Sequence, residues 1–232
     1  MFKLMELEWR KLHTRKVMGE AVIYWVILMI LPTIFLQFVF ADAPNIPLGE
    51  SYGAAMEIML PIQMGFLLFG ASLVNHVFIE EFKNRTMALS YGYPLSRRRL
   101  VMAKTMFIAG AVYLCSLISF VLAGITTYGF DLALDFIEGV PTAADLANYA
   151  LRAVVHAAVV ALASLIPLFW FGLWRRAVIP TVLCAIVLMQ MQNFLGWFSI
   201  TLNADLLYAI MSLLGLVSVY LSVKFVNKLG DL

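Results

Sequence analysis

The sequence is short of charge, thiols and imidazoles. Asp, Glu, Lys and Arg make up only 13% of its 232 residues, about half the ~25% typical of a soluble domain. Its two cysteines, Cys115 and Cys184, both lie inside apolar runs. That excludes a disulfide framework or a thiolate zinc cluster and leaves them as packing residues. There are three histidines, His13, His76 and His156, and no Gly-Lys dipeptide anywhere. A phosphate-binding loop of the Gly-x-x-x-x-Gly-Lys-Ser/Thr kind is therefore absent, which excludes this chain as the subunit that hydrolyses ATP. What is abundant is apolar: 63% of residues are hydrophobic and the mean hydropathy is +0.92. A globule of this size has too little interior to hide that much apolar surface, whereas runs of ~20 apolar residues suit a ~30 Å hydrocarbon layer. The expectation is an all-α integral membrane protein forming one transmembrane domain over 1–232.

Six apolar stretches stand out, at about 17–40, 54–79, 102–128, 146–172, 177–197 and 206–226. An even number puts both termini on one side. Fifteen of the sixteen Lys and Arg residues fall in the N-terminal segment, the second loop, the fourth link and the tail. The other loops carry Asp42, Glu50, Asp131, Asp135, Glu138, Asp145 and Asp205, with Arg152 the one base nearby. Because basic residues are retained on the cytoplasmic face, this asymmetry predicts cytoplasmic termini in a multi-pass protein of the cell membrane. The first apolar run has no small-residue cleavage site after it and reads as a retained span. Ahead of it, Phe2, Met5, Trp9 and Leu12 recur at helical spacing among basic residues, so 1–16 reads as an amphipathic helix in the interface, suited to anionic lipid.

The segment 80–99 has a mixed character that topology alone does not require. Glu80 and Glu81 would open a short helix, where free N–H groups favour negative charge, and Gly92 to Pro94 would end it. Ser96 is placed to cap the third span. Phe82, Met87, Leu89 and Tyr91 are scattered among the charges, as in a helix pressed against a membrane surface or a protein partner.

Three features together resemble a known family, the permease subunits of type-2 ABC exporters, in particular short six-span permeases of bacitracin, lantibiotic or amphipathic-peptide export and immunity. They are the opening Glu6-Leu7-Glu8-Trp9-Arg10-Lys11-Leu12, the Glu81, Arg85-Thr86 and Leu89 pattern followed by Tyr93-Pro94-Leu95-Ser96-Arg97, and the basic entry to the third span ending at Ala103-Lys104. The resemblance implies that 80–91 is the coupling helix that sits in a groove of a separate cytoplasmic ABC ATPase. Glu80, Glu81, Phe82, Arg85, Thr86, Leu89 and Tyr91 would make that contact. It also implies a second permease copy, identical or paralogous, with ATP and Mg held by the partner ATPase. No cofactor, metal or catalytic residue is then expected in this chain, and no nucleic-acid partner. The implied activity is outward movement of an amphipathic or hydrophobic compound or antimicrobial-type peptide.

In this family spans two and five line the path. Gln63, Asn75 and His76 in span two, and Gln190 and Asn193 in span five, are accordingly the candidates for it, since polar groups in hydrocarbon ask for a partner or a cavity. Interhelical hydrogen bonding explains such groups equally well. In span four, Arg152 and His156 are four residues apart and would face one another, Arg152 reaching headgroups, Asp145 or Glu138. Thr142 with Asp145 has the spacing of a helix start. Ala153, Ala157 and Ala161, and Ser212, Gly215, Ser218 and Ser222, form small-residue stripes that permit close packing. Pro32, Pro61, Pro167 and Pro180 are candidate kinks. Two other readings compete. One is a membrane scaffold or anchoring protein that transports nothing. The other is an intramembrane metalloprotease of the CAAX type, because Glu80-Glu81-Phe82-Lys83-Asn84-Arg85 fits Glu-Glu-x-x-x-Arg. That chemistry needs histidines converging at membrane depth, and neither His76 nor His156 has the required neighbours.

Overall fold

The computed structural model describes residues 4, 5, 7, 9, 14–39, 52–83, 96–134, 137, 139–198 and 202–229. Among these every regular element is helical, as hydrocarbon demands of a backbone that must satisfy its own hydrogen bonds. Helix α1 (Thr14–Ile34) runs into a π-helical turn, Phe35–Val39, just past Pro32. Span two is built from α2 (Tyr52–Gln63), α3 (Phe66–Val74), a π-helical turn at Asn75–Ile79 and α4 (Glu80–Lys83). Helix α5 (Arg97–Leu134) is followed by α6 (Ala143–Ala163), which leads into a π-helical stretch, Leu168–Trp174. Then come α7 (Val178–Met189), α8 (Met191–Trp197) and α9 (Ala204–Leu229). Five spans are long and apolar enough to cross a membrane, and α7 with α8, bent by 60°, pass the same test as one broken span.

Several elements depart from the sequence-based bounds. The third span was expected over 102–128 but extends over 38 residues, a length of ~57 Å that overshoots a ~30 Å hydrocarbon core. It takes in Arg97 to Arg99 at one end. At the other it takes in Asp131, which is no loop residue: it is buried, accepts from the Tyr52 hydroxyl, and accepts from the Ile137 amide at 2.9 Å. Span five, expected as one helix, breaks at Gln190. Span four starts with the expected box, the Thr142 hydroxyl capping the Asp145 amide while the Asp145 carboxylate accepts from the Thr142 amide. It does not stay α-helical through 172, because Pro167 has no N–H and the ladder is interrupted at 164–165.

Two breaks shape the core. After Pro61, the Met64 and Gly65 amides bond the carbonyls of Pro61 and Ile62 three residues back, at 3.2 and 3.0 Å, which tightens the chain between α2 and α3. Helix α3 beyond it is the most enclosed element, with Phe66, Leu67, Phe69, Leu73 and Val74 all buried. The second break, in span four, is pinned from both sides by glycines. A Cβ on Gly70 of α3 would stand 2.4 Å from the Ser164 Cβ, and one on Gly215 of α9 would stand 2.0 Å from the Leu162 carbonyl oxygen. At the same place the Ser218 hydroxyl donates to the Ile166 carbonyl (3.0 Å) and accepts from the Phe169 amide (3.2 Å), satisfying groups the interrupted ladder leaves over. The Ser and Gly stripe of span six thus repairs span four as well as packing against it. Outward rows such as Ile125, Ile179 and Leu213 are exposed, as lipid-facing positions are.

Candidate functional site

The 80–83 end of span two is a joint between four parts of the chain. Glu80 and Glu81 do not open a new helix: the Glu80 amide bonds the Asn75 carbonyl, so α4 continues span two through the π-helical turn. The expected free N-terminus is absent there because its donors are already used. The widened turn brings successive side chains to different neighbours. His76 lies between two carboxylates, its Nδ1 3.0 Å from Glu80 and its Nε2 3.3 Å from Glu20 of α1. Glu20 also accepts from the Ser72 hydroxyl at 2.6 Å, and the Asn75 amide donates to Glu80 at 3.4 Å.

One helical step on, Lys104 of α5 inserts into the joint. It is completely buried, its ammonium 2.7 Å from Glu81, donating to the Val77 carbonyl at 3.0 Å and lying 5.6 Å from the Phe78 ring centre. A buried charge persists only when paired and hydrogen-bonded, so this contact fixes α5 to the end of span two. From the link between spans four and five, the Arg176 guanidinium stacks on Phe82, 4.2 Å from the ring centre. Arg176 adopts φ 50°, a left-handed conformation that costs an ordinary residue energy. In the sequence Lys104 figures as the last residue of the basic entry to the third span. Its role as the partner of Glu81 depends on a contact between residues 23 positions apart and has no local signal.

The other residues singled out in the sequence fall in separate settings. Arg85, Thr86, Leu89 and Tyr91 lie outside the described residues, as does most of 1–13; of the latter, Trp9 packs its ring 6.1 Å from that of Phe107 on α5. Gln63 is buried at the break in span two, 3.5 Å from the Leu28 carbonyl. Gln190 sits at the bend of span five and accepts from Asn193 at 2.5 Å. Asn75 and His76 belong to the joint. Arg152 and His156 do not face one another: Arg152 is exposed and pairs with Glu57 of α2 at 3.0 Å, while His156 is buried against the rings of Phe120 and Tyr208. Successive turns of α6 present Arg152 to its surface and His156 to the bundle, which separates two residues that spacing alone would pair.

A family model described as ABC-2 family transporter protein matches residues 4–192. The chain belongs to this family. The ABC-2 protein is also similar to an uncharacterized protein, YcbO, of Bacillus subtilis (strain 168), with 30% identity over 187 residues, 78% of this chain and 80% of the relative. No solved structure matches it. Membership makes it the multi-pass plasma-membrane permease of an ABC transporter, a kind of subunit that is normally non-catalytic and associates with an ATPase subunit. The joint at 80–83 is the part of this ABC-2 permease that leads directly into the loop between spans two and three.

Proposed function

We propose that this permease works in export, moving an amphipathic or hydrophobic compound or an antimicrobial-type peptide outward. Both termini and the 80–99 segment face the cytoplasm, as the distribution of basic residues favours. Two permease copies form the path, and a separate ATPase, which supplies the ATP and Mg sites, docks at 80–91. The observation that carries this reading is the set of contacts that meet at the joint. The segment entering the loop is continuous with span two, tied to α1 through Glu20 and His76, to α5 through Lys104, and to the span four–five link through Arg176. A partner pushing on such a segment moves several spans together, which is what coupling requires.

The test is a pull-down from native membranes of the wild type and of a variant with 84–91 replaced by a polar linker. That replacement spares Glu80, Glu81 and Phe82, whose contacts hold the fold. An ATPase that copurifies with the wild type and is lost from the variant supports docking at this segment. If none copurifies with either form, the coupling assignment fails and the scaffold reading takes its place.

A further inference from the structure

We infer that the end of the bundle opposite the joint holds a binding site for a single-chain amphiphile with a cationic head. Two adjoining cavities carry the inference. One, of ≈ 360 Å³, lies between α2, α5 and α6; its wall is almost wholly apolar and includes Met59, Val121, Ile125 and Ala150. That volume falls within the ~300–1,000 Å³ of small-molecule sites. Val121, Ile125 and Ala150 are exposed, so it opens sideways toward hydrocarbon. Tyr52 and Ile137 also line it, and Asp131 holds both by accepting from the Tyr52 hydroxyl and the Ile137 amide.

The second cavity, of ≈ 220 Å³, shares the walls Met56 and Tyr149 with the first and is lined by Glu57, Asp145, Asn148 and Arg152. An apolar chamber and a charged chamber next to it match the two halves of an amphiphile. The charge of the head follows from the residues. Two carboxylates against one guanidinium leave the polar chamber with a net negative charge, and the Arg152 cation is already paired with Glu57. The sequence that joins spans one to two and three to four is acidic and carries no base, and acidic surroundings raise the local concentration of cations. An anionic head would meet two carboxylates and compete with Glu57 for Arg152.

The inference rests on the export reading in one respect, that this end faces the outer leaflet; binding itself needs no ATPase. The protein is placed in phosphatidylcholine nanodiscs and its thermal midpoint followed against decyltrimethylammonium, with decyl sulfate as the anionic comparison. Decyltrimethylammonium is expected to raise the midpoint of the wild type. Ala150→Trp and Val121→Trp, which fill the apolar chamber from two exposed positions, should abolish that shift. Glu57→Gln should weaken the apparent affinity about tenfold, as loss of one charged contact does, and Glu57→Lys should transfer the preference to decyl sulfate. Equal shifts in the wild type and both tryptophan variants, or a wild type that responds as strongly to decyl sulfate, would overturn the site. A copurifying ATPase missing from the pull-down would instead overturn the export reading and leave this result untouched.

Discussion

Lys104→Met tests the joint most directly. The ammonium is fully enclosed, 2.7 Å from Glu81, and at an effective dielectric constant of about 20 that separation corresponds to an attraction of about 6 kcal/mol. Methionine is of similar length and keeps most of the packing while removing the charge and the donor to the Val77 carbonyl. Part of the lost attraction is returned, because the lysine no longer has to be stripped of water, a cost of several kcal/mol. The expected net loss is about 3–5 kcal/mol, the range for removing one member of a buried pair. Unfolding in dodecyl maltoside with rising sodium dodecyl sulfate, followed by circular dichroism, measures it. Glu81→Gln and the double variant complete a cycle, and the double variant should cost about 0.5–3 kcal/mol less than the sum of the singles. A loss below about 1 kcal/mol for Lys104→Met, or strictly additive singles, would mean that the pair does not hold α5 to span two.

Three further variants probe the frame around the site by the same unfolding measurement. Gly215→Ala places a methyl where 2.0 Å separates it from the Leu162 carbonyl oxygen, so α9 must move off α6 at a cost of about 1–3 kcal/mol or more; an unchanged midpoint would show that the two helices do not approach so closely. Ser218→Ala removes the hydroxyl bridging Ile166 and Phe169, with an expected loss of about 1–2 kcal/mol and faster hydrogen exchange at the Phe169 amide, which a purely steric role for Ser218 would leave protected. Thr142→Ala removes the cap of α6 and should cost about 1 kcal/mol, frayed exchange being confined to the first turn of that helix.

How much of this was legible in the sequence depends on the range over which each feature is decided. The spans are set by lipid, which imposes a ~20-residue apolar length on any helix that crosses it, so six stretches could be found from composition alone. The cap of α6 is set by residues three apart, and Thr142 with Asp145 announces it. Pro61 and Pro167 likewise mark the breaks of spans two and four, whereas the break of span five at Gln190 has no proline beside it. Where the chain resumes after each break is another matter, because it is chosen by Gly70, Gly215 and Ser218, which lie on other helices and carry no local sign of what they fit against.

The joint shows the same limit in a sharper form. A π-helical turn at Asn75–Ile79 accommodates one residue more than an α-helical turn would, and everything beyond it is rotated by roughly the ~100° that one residue occupies on a helix. An uninterrupted helix through Glu81 would point its carboxylate away from the direction it takes here, so no reading at α-helical spacing could have matched it with Lys104. Glu81 reads in the sequence as a charge offered to a partner protein, and in the fold it neutralises a buried lysine. Variants of Glu81 therefore report first on the stability of the joint, because its carboxylate is already committed to Lys104.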